Sequence, residues 1–299
     1  MSTSTSTTTS TTTGTATDTG AGSAPGAART GPPAGGGDRG SGRITPRAHL
    51  RHIGALVRRN ALQIKQDPES MADAVLMPII FTLLFTYVFG GAVSGEGNQD
   101  KYVNYLVPGL MAMMGLSISM AVGTGINTDV NKGVMDRFRS MPIARSSILI
   151  AKIVVEIGRM TVAMLILLGM GFLLGLEIKT SVLELLAAMG LSLLFGASLM
   201  WIFILLGLSL KTAQAVQGMA MLVLLPLQFG SSIFAQPSTM PDWLKTFADH
   251  NPLSNLADAS RALINGGELA SSVWATLGWA AAITVVTAPL AIRAFQKKT

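Results

Sequence analysis

Six stretches of this chain stay apolar for long enough to cross a bilayer: Ala74 to Gly91, Tyr102 to Ile126, Ala151 to Leu176, Leu185 to Leu210, Ala213 to Phe234 and Leu269 to Ile292. Each meets or slightly exceeds the roughly 17 to 25 residues that span the hydrocarbon core. Around them the pattern becomes amphipathic. From Pro46 to Gln66, Leu50, Ile53, Val57, Ala61 and Ile64 share one helical face and Arg47, Arg51, Arg58 and Lys65 the other, which predicts a helix lying in the interface. After the second stretch, Asn127 to Lys152 is a basic loop in which Val134, Phe138 and Met141 recur at i, i+4 and i+7, Arg137 and Arg139 point elsewhere, and Pro142 stops the turn. This short helix has an apolar stripe and nothing in its own loop to bury it. The loop therefore reads as a receiver of mechanical input from a cytoplasmic partner.

Between the fifth and sixth stretches, Ala235 to Glu268 carries two helix starts with proline in the first turn, at Met240-Pro241 and Asn251-Pro252. In the second, Asn251 caps and Pro252 takes the first helical position. Leu253, Leu256, Ala257, Ser260, Leu263 and Ile264 keep helical spacing, and Gly266 sits just past the end. Two short helices at an interface, able to dip back into the membrane edge, are the simplest structure for this segment; an ordinary helical hairpin is the alternative.

Composition fits a polytopic membrane protein. The chain has 299 residues, is 49% hydrophobic with mean hydropathy +0.48, and holds 13% charged residues against roughly 25% in a soluble domain. Residues 1–45 form a Ser/Thr tract followed by Gly, Pro and Ala, too poor in apolar side chains to pack, and are expected to be a disordered cytoplasmic tail. The expected fold is all-α and integral to the membrane. It comprises the tail (1–45), the interfacial helix (46–66) and a six-span transmembrane domain (67–299) with short re-entrant-like outer helices.

Charge sets the orientation. With both termini in the cytoplasm, 17 of the 22 basic residues face inward. Only Lys101, Lys179, Lys245 and Arg261 face outward, and Arg159 lies within a span. The net charge of +6 is thus a topology signal, and no nucleic-acid partner is needed to account for it. The expected location is the cell (plasma or inner) membrane, multi-pass.

Little chemistry is available to the chain itself. There is no cysteine, so disulfides, thiolate metal sites and cysteine nucleophiles are excluded. No G-x-x-x-x-G-K-[ST] occurs, so ATP has no P-loop here. His49, His52 and His250 make no metal-binding arrangement, and no catalytic, cofactor or metal residue is assigned. Lys152, Glu156 and Arg159 share one face of the third span near its inner end, where they can pair with one another. Pliable apolar surface with isolated amide and hydroxyl groups occurs in the second and fifth spans, which makes Asn104, Met111, Met114, Ser117, Gln217, Met221 and Gln228 the expected substrate path. Helix-packing or lipid-facing methionine is the competing reading.

Taken in order, the interfacial helix, the six spans, the loop DRFRSMPIARSSILIAK from Asp136 to Lys152, and Asn251-Pro252 followed by Arg261 and Gly266-Gly267 resemble the membrane subunit of an ABC-type-2 exporter, in the daunorubicin-type drug-resistance branch. That resemblance covers Arg47 to the C-terminus. It implies that the helix at Gly133 to Met141 is a coupling helix seated in a separate ATPase, with Val134, Asp136, Arg137, Phe138, Arg139 and Met141 at the contact. It also implies that two copies of the chain join two ATPases. The chain is then no enzyme and binds no cofactor; ATP and Mg belong to the partner. The expected function is ATP-driven outward movement of a hydrophobic or amphipathic drug-like or lipid-like compound. A lipid or glycan exporter of the same architecture is the first alternative; a membrane-embedded enzyme or a secondary carrier is weakened by the lack of paired acid/base groups and of midplane charge.

Overall fold

A computed structural model describes residues 68–90, 99–133, 145–267 and 270–298. The tail, the expected interfacial helix at 46–66 and the expected coupling helix, with Val134, Asp136, Arg137, Phe138, Arg139 and Met141, lie outside the described residues.

The described residues are helical, with no strand among them. Helix α1 runs Pro68–Leu84 and continues through a π-helical turn at Phe85–Phe89. It is followed by α2 (Gln99–Asn131), α3 (Arg145–Leu173), α4 (Val182–Ser209) and α5 (Ala213–Phe229). Then come α6 (Asp242–His250), α7 (Pro252–Asn265) and α8 (Ala270–Lys298). Four segments are long and apolar enough to cross a membrane: Lys101–Asn131, Ile148–Leu173, Val182–Ser209 and Ser271–Lys297. The first and fifth apolar stretches form shorter helices, at Ala74–Val88 and Ala213–Phe229.

Helix α5 ends at Phe229 and not at the expected Phe234. Pro226 lies in its last turn, the Gly230 N–H closes the helix on the Pro226 carbonyl at 2.8 Å, and residues 231–234 turn away. Hydropathy alone runs on through that turn because Ile233 and Phe234 are apolar.

Helix α2 is the axis of the bundle. Tyr102, Leu106, Leu110, Met111, Leu116, Val122 and Ile126 are buried along its whole length, as expected for a helix apolar all round. It packs on α3, α4, α5 and α7. Along α2 and α4 small residues bring the two backbones together: a Cβ on Gly123 would meet the Phe203 carbonyl oxygen at 2.6 Å, and the Met160 side chain of α3 closes over Gly115 and Gly196. The Ser119 hydroxyl donates across this seam to the Gly196 carbonyl at 3.0 Å. Side-chain contacts place the C-terminal end of α2 beside that of α4, and its N-terminal end beside the end of α5 and beside α7. The bundle therefore has an Asn131 end and an Arg261 end, and α6 and α7 sit at the latter.

Both short helices start as local sequence dictates. Pro241 precedes α6, and Asn251 caps α7 by accepting from the Leu253 N–H at 2.9 Å. Gly266 ends α7 at φ 83°, a left-handed conformation that glycine adopts without strain.

Candidate functional site

Two networks of polar side chains that join separate elements lie at the two ends of the bundle. At the Asn131 end, α4 leaves the helix at Leu210 in extended geometry (φ −89°, ψ 157°), with no basic residue in its last turn. The last carbonyls of a helix have no intrahelical donor. Here the donor comes from α2. The buried Asn127 Nδ2 donates to the Gly207 carbonyl at 2.9 Å and to the Leu210 carbonyl at 2.8 Å. One turn on, Asn131 Nδ2 donates to Asn127 Oδ1 at 2.9 Å and to the Lys211 carbonyl at 3.0 Å. Thr212 then caps α5 by accepting from the Ala215 N–H at 3.1 Å. On the other flank, Lys152 of α3 pairs with Asp129 of α2 at 3.0 Å, so its partner is not Glu156. Glu156 pairs with Arg159 at 3.1 Å.

At the Arg261 end, one guanidinium ties three elements. Arg261 Nε donates to the Tyr105 carbonyl of α2 at 2.9 Å, and Nη2 donates to the carbonyls of Ser232 and Ile233 at 2.7 and 3.1 Å. Nη1 donates to Asp258 at 2.6 Å and to the Ser232 hydroxyl at 3.2 Å, and the cation lies 3.7 Å from the Tyr105 ring centroid. Such stacking and forked donation suit arginine and not lysine. Burial pulls its pKa below the ordinary value, opposed by Tyr105 and Asp258; a guanidinium stays charged regardless. Tyr105 also donates to the Ser232 carbonyl at 2.6 Å, and Asn251 holds the carbonyls of Leu227 and Gly230 at 2.7 and 3.1 Å. The turn after α5 is thus fixed from both α2 and α7.

The expected path residues are distributed over three settings. Asn104 belongs to the Arg261 end, where it donates to the Gly175 carbonyl and accepts from the Glu177 N–H while Asn265 donates to its carbonyl. Met111 and Met114 are buried in the packing around α2. Ser117 is exposed and bonds back to the Met113 carbonyl. On α5, Gln217 and Met221 are exposed and Gln228 is half-buried. Helices α2 and α5 pack together, but these seven side chains do not converge on one point.

Sequence reading missed Asn127 as a cap for α4 and Arg261 as a structural centre, counting the latter only as an outward charge. One signal for Arg261 was available: it sits three residues after Asp258 and next to Ser260, on a helix with no other basic residue. Among the described residues no group of three acidic or histidine side chains is placed to hold a metal.

Comparison with known proteins adds one family and three relatives. The ABC-2 type transporter family matches residues 51–265. The chain is 37% identical over 240 residues to the daunorubicin resistance ABC transporter permease protein DrrB1 of Streptomyces coeruleorubidus, covering 80% of this chain and 84% of that protein. It is 31% identical over 255 residues to the doxorubicin resistance ABC transporter permease protein DrrB of Mycobacterium tuberculosis (80% and 86%), and 25% identical over 228 residues to the probable doxorubicin resistance permease DrrC of the same species (76% and 82%).

Proposed function

This chain belongs to the ABC-2 type transporter family, and from that premise we propose that it is the permease of an exporter that moves hydrophobic or amphipathic drug-like molecules outward, powered by a separate ATPase. The observation that carries this reading is the 37% identity extending over 84% of a daunorubicin resistance permease. Six crossings are proposed, with α1 and α5 completing the four long helices. Helices α6 and α7 lie on the outer side, both termini are cytoplasmic, and two copies of the chain assemble with two ATPases. The substrate is proposed to pass along α2 and α5, where Gln217 and Met221 offer an adaptable surface.

The reading is tested by co-expressing the chain with a candidate ABC ATPase, purifying the two together and measuring daunorubicin-stimulated ATP hydrolysis in lipid vesicles. Stimulation is expected; a chain that retains no ATPase defeats the proposal. Within that assay, Phe138→Ala should weaken ATPase association about tenfold or more, because burying such a ring is worth about 1.5 to 3 kcal/mol. Association unchanged in that variant removes the loop from the contact.

Orientation is checked separately. The chain has no cysteine, so single cysteines report without background. Replacement of Ser94 or Ser238 is expected to give sites that an impermeant thiol reagent labels on intact cells, and replacement of Ser140 a site it does not. Labelling at position 140 inverts the topology.

A further inference from the structure

We propose that Asn127 and Asn131 form the joint through which movement of the loop after α2 is passed to the α4–α5 turn, and so to α5. The inference rests on the proposed function, since it takes the loop that follows Gly133 to be the part an ATPase moves. Three observations carry it.

The first is that α4 and α5 are separated only by Leu210, Lys211 and Thr212, and two of those three carbonyls accept from α2: Leu210 from Asn127, Lys211 from Asn131. With the Gly207 carbonyl added, the last turn of α4 and the turn into α5 are held by amide groups of another helix. Gly133, at φ 68°, ends α2 two residues after Asn131. A displacement of the loop therefore reaches Asn131 first and Asn127 one turn later, past the Asp129–Lys152 pair.

The second is that the contact below them is backbone on backbone. A Cβ on Gly207 would fall against the carbonyl group of Gly123, well inside 3.0 Å. Two helices packed with no intervening side chain have little room to slide, so a pull on α2 is transmitted to α4 as a rigid shift.

The third is the contrast with α5 itself. Met219, Met221, Leu222, Val223 and Leu225 are exposed along it and Val216, Ala220 and Leu224 are buried, so a narrow stripe of side chains holds it to the rest of the chain. Its start is fixed by Thr212 and by the carbonyls that Asn127 and Asn131 hold. The amide pair thus acts as a positioning element for α5.

The test uses the full chain with its ATPase in vesicles, with daunorubicin as the fluorescent probe, and reads molecules transported per ATP hydrolysed. Asn131 is exposed at the rim of the joint, so Asn131→Ala is expected to insert, unfold at the same temperature within error and bind the ATPase as the wild type does. Its transport per ATP should fall about fivefold or more, the low end of coupling free energies between two sites, because the Lys211 carbonyl is no longer tied to α2. The double variant Asn131→Cys/Lys211→Cys should be equally poor when reduced and recover once the thiols are joined by a disulfide or short bis-thiol linker. Lys211→Cys alone should transport normally, because only the Lys211 backbone takes part in the joint.

Recovery on cross-linking is an outcome that a merely stabilising pair does not produce when the reduced variant is already folded. The inference is overturned if Asn131→Ala couples as the wild type does, if transport and hydrolysis fall together with the amount of folded protein, or if the cross-link blocks transport. A wild-type chain that retains no ATPase overturns the proposed function and this inference together. A complex that is well coupled in both wild type and Asn131→Ala overturns this inference alone.

Discussion

Replacing Arg261 by alanine is expected to cost about 3 to 5 kcal/mol of stability, because three backbone carbonyls lose a shared donor at about 1 to 3 kcal/mol each where they are buried, and a cation–π contact goes with them. The loss follows from what is left behind. The carbonyls of Tyr105, Ser232 and Ile233 lose a common donor, and the Tyr105 ring loses the cation 3.7 Å from its centroid. Asp258 contributes less to that figure, because 45% of its side chain is exposed and water can take over solvation of the freed carboxylate. Arg261→Lys should recover only part of the loss, since one ammonium cannot serve a fork of five acceptors spread over α2, α7 and the turn after α5. Asp258→Asn should be the mildest of the three. Thermal unfolding of the detergent-solubilised protein orders the variants. An Arg261→Ala protein as stable as Asp258→Asn would mean that the guanidinium is incidental to the packing of this end of the bundle.

How much of this was legible in the sequence follows from how far apart the interacting groups lie. The start and end of α7 were readable because Asn251, Pro252 and Gly266 act on their own helix. The long apolar helices were readable for the same local reason. The end of α5 was not, because the turn at residues 231–234 is fixed by Asn251, Ser254 and Arg261 from another helix and by Tyr105 from a third. Arg261 itself gave only a charge to a topology count, since its acceptor on Tyr105 lies 156 positions away in the chain. Asn127 and Asn131 gave still less: their partners are backbone carbonyls of Gly207, Leu210 and Lys211, which leave no side-chain pattern to read. Met111 and Met114 show the opposite limit. Their polarizable side chains suit a ligand surface and a packed helix equally, and here they are buried around α2.

Gly207→Ala is expected to rival the arginine variant, for a different reason. The added methyl would fall against the carbonyl group of Gly123, and neither atom belongs to a side chain that can rotate aside. The two helices must part by a substantial fraction of an ångström. Overpacking of this kind costs about 1 to 3 kcal/mol by itself. Separation also lengthens the two bonds from Asn127 to the Gly207 and Leu210 carbonyls, each worth about 1 kcal/mol net. A loss of about 3 kcal/mol or more is therefore expected, read as a lowered midpoint in detergent and a reduced yield of inserted protein. The matched controls are Gly190→Ala and Gly218→Ala, where an added Cβ has nothing within 4 Å. Both sites are helical, so alanine there should be neutral or stabilising by up to about 1 kcal/mol. If Gly207→Ala proves as stable as these two, α2 and α4 are not in backbone contact at that level, and the rigid seam on which the Asn127–Asn131 joint depends does not exist.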